Sequence, residues 1–197
     1  MRIIAGTAKG RRLRSLRGRA LRPTADRVRE SLFAILRERL EGARFLDLYA
    51  GAGTVGLEAL SRGAAEAVFV ESHRPAARLI GENATACGLA DRARVLALPV
   101  ERALGRLSRG GEQFDLVFLD PPYGAGEAGA ALAALARRPR LLASGGLVIC
   151  QRSRREETPG EIGPFSRKRT ERFGETIVDF YSSGGGASEN GSLCRDL

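Results

Sequence analysis

Between residues 45 and 151 five short apolar runs alternate with four amphipathic stretches, joined by short connections. The runs are 45–49, 67–71, 94–98, 114–119 and 146–151, and the stretches between them are 55–61, 75–87, 101–107 and 129–137. Runs without polar alternation suit strands buried on both faces, and helices must then supply the cover. This rhythm predicts an α/β chain with a doubly wound, mostly parallel sheet. The ending breaks the rhythm. Residues 165–172 and 176–181 flank Phe173-Gly174-Glu175, which predicts a C-terminal antiparallel hairpin. Ahead of the alternation, Val28, Leu32, Ile35, Leu36 and Leu40 recur at helical spacing after Pro23-Thr24, with Thr24 or Asp26 placed to cap. Ile3-Ile4, a turn over residues 6–10 and Arg12-Leu13-Arg14 predict a small basic N-terminal hairpin. The chain is thus expected to divide into a basic extension at 1–22, a main domain at 23–182 and a disordered Gly/Ser tail at 183–197.

The charge sits to one side. The formal net charge is +9, and residues 1–44 carry all of it, with 13 Lys/Arg against 4 Asp/Glu. The first 22 residues hold eight basic side chains and no acid. An arginine-rich composition alone would raise arginine everywhere, yet the remainder balances its cations with acids. A basic arm on a neutral body marks a polyanion binder, expected to be a nucleic acid. Phosphate contacts of this kind supply affinity without sequence choice.

Asp47-Leu-Tyr-Ala-Gly51-Ala-Gly53-Thr-Val-Gly56 lies where the first strand gives way to the first crossover helix. Gly51, Gly53 and Gly56 have the G-x-G-x-x-G spacing of a nucleotide-binding turn. Asp47 precedes the loop, where a carboxylate can pair with an amino group. Glu71 ends the second strand about 20 residues on, where an acid can grip ribose hydroxyls. A dinucleotide would satisfy these features as well as other adenosine ligands.

Residues 114–123, Phe-Asp-Leu-Val-Phe-Leu-Asp-Pro-Pro-Tyr, separate those readings. The fourth strand ends by presenting Asp120 at the carboxyl edge of the sheet, where open α/β sheets bind ligands. Pro121 and Pro122 fix φ and carry no N–H, leaving a stiff, acceptor-rich corner. The Asp120 carboxylate and the Pro121 carbonyl suit an exocyclic amine, whose lone pair is delocalised into its ring. Accepting both hydrogens favours a pyramidal nitrogen and returns the lone pair for attack. Tyr123 can stack on the flat face of the base.

With these residues in view, the chain resembles Rossmann-like S-adenosylmethionine-dependent methyltransferases that act on amines. The run Leu21-Arg-Pro-Thr-Ala-Asp-Arg-Val-Arg-Glu-Ser-Leu-Phe33, with residues 46–64, is more specific. It resembles the bacterial 16S ribosomal RNA guanine-N2 methyltransferase family (RsmD type), and the likeness runs from about residue 2 to 181. The resemblance implies methyl transfer from S-adenosyl-L-methionine to the N2 amine of a guanine in small-subunit rRNA. It implies that Asp47, Gly51 and Gly53 line the methionine and ribose portion of the cofactor, and that Glu71 holds the ribose. Asp120, Pro121 and Tyr123 would orient guanine, and Arg11, Arg12 and Arg22 would grip rRNA. Where the family tends to have an acid after the third strand, this chain has Leu98-Pro99-Val100. Adenine is then expected against Val100 backbone and apolar side chains.

Two rival readings stand beside this one: an adenine-N6 methyltransferase on RNA or DNA, and a non-catalytic rRNA-binding assembly factor on a methylase fold. Direct transfer needs no metal, general base or covalent nucleophile. His73, the single histidine, is expected at the surface or the cofactor's edge, and Cys87 and Cys150 in or near the core. The scattered cysteines, with Cys194 the third, give no zinc or disulfide pattern and suit a reducing cytoplasm. No run approaches a membrane span, and arginine close behind the first residues predicts no signal peptide. The expected partner is 16S rRNA or the assembling small subunit, engaged by a monomer.

Overall fold

The computed structural model describes residues 1–15, 23–122, 124 and 126–184. Arg22, Tyr123, the Thr24 side chain, Cys194 and the tail from 185 lie outside the described residues. Alternation begins with β1 (Arg44–Leu48), α2 (Thr54–Ser61), β2 (Glu66–Val70), α3 (Arg74–Cys87) and β3 (Ala93–Leu96), preceded by α1 (Pro23–Ile35). It continues with α4 (Val100–Arg109), β4 (Phe114–Leu119), α5 (Glu127–Ala136) and β5 (Leu142–Ser153). The chain then turns to β6 (Glu161–Ile162), β7 (Phe165–Phe173) and β8 (Thr176–Ser183). The eight strands form one sheet in the order β3-β2-β1-β4-β5-β8-β7-β6. The first five are parallel, and β8 runs antiparallel to both β5 and β7. The expected doubly wound sheet with an antiparallel end is therefore present.

Two apolar layers explain why the helices settle where they do. Leu46, Leu48, Val68, Val70 and Val117 face α4 and α5 in one core. Phe45, Phe69, Leu116 and Phe118 face the opposite way, into a core shared with α1, α2 and α3. Each such side chain contributes about 1.5–3 kcal/mol when fully buried. The α-helical part of α1 stops at Ile35, five residues short of Leu40, yet a 3-10 turn over Arg37–Arg39 still delivers Leu40 to the core. β5 starts earlier than its apolar run suggests, and a register irregularity against β4 absorbs Ser144-Gly145-Gly146. β6 is a two-residue strand that no pattern announced.

The first fifteen residues pack on the body. Arg2 and Arg12 form an antiparallel bridge, and the Ile3 amide donates to the Arg11 carbonyl at 3.0 Å. Ile3, Ala8 and Leu13 are buried in the α1–α3 core. The anchor is α2. Glu58 is fully buried, and its carboxylate accepts from the amides of Ile4 (2.8 Å) and Ala5 (3.0 Å) and from Arg62 Nε (2.7 Å). Ser61 accepts from the Ala8 amide and donates to the Ala5 carbonyl. Gly6 sits at φ 84° so close to α2 that an added Cβ would lie 1.7 Å from the Ser61 carbonyl oxygen. No helix among the described residues is long and apolar enough to cross a membrane.

Candidate active site

The strand order reverses between β1 and β4, and the ends of these strands place the candidate residues in one row. Leu48 pairs with Val70 on one side and Leu119 on the other, and Leu119 pairs with Cys150. One residue further along each strand stand Glu71, Tyr49, Asp120 and Gln151. Adjacent strands are about 4.8 Å apart, so Glu71 and Asp120 stand roughly 10 Å from each other across β1. A crevice at such a switch point is where open α/β sheets take ligands.

Asp47 is one turn of the pleat deeper, on the side of β1 that faces α2. Its side chain is 2% exposed, and Oδ2 accepts from the Gly56 amide at 2.9 Å. The N-cap of α2 is Gly53, which has no side chain, so this strand carboxylate supplies the acceptor for the first turn. Burial is the main influence on Asp47. The Gly56 amide opposes it, while the charges of Asp120 and Glu71 add to it, and the carboxyl is pushed up from 3.8 to about 7. A cation arriving here would relieve that pressure.

The loop between β1 and α2 bends sharply. Tyr49 has φ 64°, a left-handed conformation costly for a bulky side chain, and Gly51 and Gly53 follow at 57° and 78°. Gly56 is glycine for a packing reason: a Cβ there would lie 2.3 Å from Phe69 Cε1. Its absence lets the N-terminus of α2 settle onto β2. Glu71 ties the loop to its own strand. One carboxylate oxygen accepts from the Gly51 amide at 2.9 Å, the other from the His73 amide at 2.8 Å. His73 is exposed at the N-cap of α3. Val100 opens α4 just beyond β3, half-buried against the α4–α5 core beside Leu98.

Asp120 Oδ1 accepts a 2.9 Å hydrogen bond from Gln151 Nε2, and the Asp120 amide reaches the Leu48 carbonyl at 3.4 Å. Pro121 is buried and Pro122 exposed. Beyond them, the N-terminus of α5 is held by Glu156, whose Oε1 accepts from the Ala128 amide at 2.8 Å. The structure thus gathers Asp47, Gly51, Gly53, Glu71, Val100, Asp120 and Pro121 along one edge. Arg11 and Arg12 are exposed on the segment docked against α2. Sequence reasoning missed three residues: Gln151, Tyr49 and Asn83. Gln151 was visible as the polar residue closing the fifth run. Tyr49 carried no signal beyond its place before the glycines. Asn83 lies in α3, and only the fold shows its role: Nδ2 donates to the Ala52 carbonyl of the glycine loop at 3.0 Å.

The residues present fit an adenosylated sulfonium. A buried carboxylate held near neutrality awaits a positive partner, a glycine turn leaves room at a helix N-terminus, and an acid closes the adjacent strand.

Residues 1–182 match the family model described as "Conserved hypothetical protein 95". YlbH of Bacillus subtilis, provisionally named an rRNA methyltransferase, is 36% identical over 185 residues, covering 94% of this chain and all of that protein. Ribosomal RNA small subunit methyltransferase D of Escherichia coli K12 is 42% identical over 123 residues, covering 62% of this chain and 60% of that protein. The solved structure of yhhF from Escherichia coli, provisionally described as a methyltransferase, superposes with a TM-score of 0.77 at 33% identity, covering 93% of this chain and 97% of that one.

Proposed function

The chain belongs to the family described as "Conserved hypothetical protein 95", and on that footing we propose that it transfers a methyl group from S-adenosyl-L-methionine to the N2 amine of a guanine in 16S rRNA. One observation carries the reading: an acid oriented by Gln151 ends β4 level with the glycine turn, across one strand from Glu71.

Asp47, Gly51 and Gly53 hold the methionine and ribose portion of the cofactor, Glu71 the ribose hydroxyls, and Val100 the adenine face. The bound cofactor supplies an electrophilic methyl on a sulfonium. The protein's task is to deliver a nucleophile in line with it, which is chiefly positioning. Asp120 accepts one N2–H and the Pro121 carbonyl the other, so the nitrogen lone pair leaves its conjugation with the ring. With the cofactor bound, the methyl would pass from sulfur to N2 as the sulfur–methyl bond breaks, and the proton N2 loses would go to Asp120 or solvent. Tyr123 stacks on the base, and Arg11, Arg12 and Arg22 contact rRNA phosphates. Residues 1–22 serve as the RNA-binding extension of the domain at 23–182, which acts as a monomer in the cytoplasm without a metal. The substrate is 16S rRNA, free or within the assembling small subunit.

Asp120→Ala tests the assignment. It should bind S-adenosylhomocysteine as the parent does and lose transfer by about a hundredfold or more. Parental turnover in the variant would overturn the role given to this carboxylate. Mass spectrometry of methylated guanines from a deletion strain checks the product: a missing N2-methylguanine in 16S rRNA is expected, a missing N6-methyladenine would select the rival reading.

A further inference from the structure

Asn83 joins two parts of the molecule that the proposed reaction uses separately. It lies in α3, and its side chain is 1% exposed. Three hydrogen bonds leave that one amide. Oδ1 accepts from the Arg14 amide at 2.9 Å, and Nδ2 donates to the Arg14 carbonyl at 3.1 Å and to the Ala52 carbonyl at 3.0 Å. Arg14 closes the docked basic segment, two residues past Arg12. Ala52 lies between Gly51 and Gly53 in the turn proposed to hold the cofactor.

All three contacts reach backbone, so they report where the two segments lie, whatever their side chains do. If the basic segment lifts away, the buried amide loses two partners at once. It must then turn to find others, or keep Ala52 and leave an acceptor and a donor without their protein partners. Either response disturbs the glycine turn. A second link runs the same way. The segment is anchored on Glu58 and Ser61 of α2, the helix whose N-terminus is that turn. The segment's own side chains reach α3 through the ion pair of Arg14 with Glu82 at 2.7 Å, which is exposed and weak in water. Backbone pairing at Asn83 is therefore the stronger latch on that side.

We propose that Asn83 is a positioning residue that couples docking of the basic segment to the cofactor turn, so that rRNA and cofactor each strengthen the binding of the other. The inference rests on the function proposed above. Linkage makes the effect reciprocal: whatever factor one ligand confers, the other returns. The order of events on the enzyme follows from it. A chain that has bound cofactor presents its basic segment ready-docked to RNA, and the demethylated product cofactor leaves more easily once RNA has gone.

Hydrogen exchange on the whole protein tests the coupling without rRNA. Saturating S-adenosylhomocysteine should slow exchange of the Ile3, Gly10, Leu13 and Arg14 amides by about tenfold, within the usual range of coupling factors. Asn83→Asp keeps an acceptor for Arg14 and loses both donated bonds. In that variant the ligand should still bind, and the slowing should fall to within about twofold. Unchanged exchange at these amides in the parent protein overturns the coupling. So does equal slowing in parent and variant. Should the variant not fold, the parent measurement decides alone. Failure of S-adenosylhomocysteine to bind the parent overturns instead the cofactor assignment beneath the inference. With 16S rRNA added, the parent's affinity for S-adenosylhomocysteine should rise, by no more than the factor read in exchange, and independent binding of the two overturns the reciprocity.

Discussion

Asp47 is where burial and the proposed function pull against each other. In the ligand-free chain its carboxyl is held at about 7 against 3.8 in an unfolded one, chiefly by desolvation. Its folded value is raised, so the folded chain binds the extra proton. Stability from this group is full below about pH 4 and is lost as pH rises toward 7. The shift is on the order of 4 kcal/mol across that window at about 1.4 kcal/mol per unit. Asp47→Asn should remove this slope. Urea midpoints of the ligand-free protein between pH 4.5 and 8 should fall with pH in the parent relative to the variant. The parent should also release a proton on binding the sulfonium cofactor near pH 6.5, read by calorimetry in buffers of different ionisation enthalpy, and the variant should not.

The join of α2 to the sheet shows what a whole element requires of one position. Gly56 is buried over Phe69 with Asp47 Oδ2 close by, and a Cβ there would meet Cε1 at 2.3 Å and Cζ at 2.8 Å. Ring and helix cannot both stay. Gly56→Ala should therefore lift the first turn of α2, cost about 1–3 kcal/mol in thermal unfolding, and weaken cofactor binding more than RNA binding. Equal effects on both ligands would mean the helix shifts as a unit. At this scale the sequence was most legible. Five apolar runs predicted β1–β5, the three glycines marked the turn, and Pro121-Pro122 marked the corner. Each of those signals is local: a run of side chains, or a backbone freedom only glycine has. Gln151 beside Asp120, and Asn83 beneath Ala52, were not legible, because each partner lies 31 residues away and only strand order and helix placement bring them together.

Across the whole molecule, charge and topology divide the labour. The cationic excess lies in residues 1–44, and the first fifteen are fixed to α2 by Glu58 and Ser61. Replacing Arg11, Arg12 and Arg14 together with glutamine should flatten the dependence of rRNA affinity on salt by roughly 0.7–0.9 log units for each phosphate that is no longer neutralised. An unchanged slope in filter binding between about 50 and 200 mM salt would place the phosphates elsewhere. The other end of the sheet is held by a different device. Asp179 is buried, and although burial alone would raise its carboxyl, Arg152, Thr170 and Thr158 hold it below the usual range. Arg152 Nε donates to it at 2.6 Å and Thr158 Oγ1 at 2.8 Å. Neither that pair nor the path of β8 could be read from the hairpin signal, which says that two strands meet but not which neighbour the second one takes.

That path has a kinetic meaning. β8, eighth in the chain, lies sixth in the sheet, wedged between β5 and β7. While the polypeptide is being made, β5 waits with one flank open and Arg152 without Asp179 until residues 176–183 emerge. A chain cut short at 175 should accordingly collect as aggregate, whereas one ending at 184 should remain dispersed, as sedimentation of the two lysates would reveal. Synthesis itself thus keeps three of the sheet's eight strands pending, and a single late ribbon of eight residues decides whether the molecule seals or sticks.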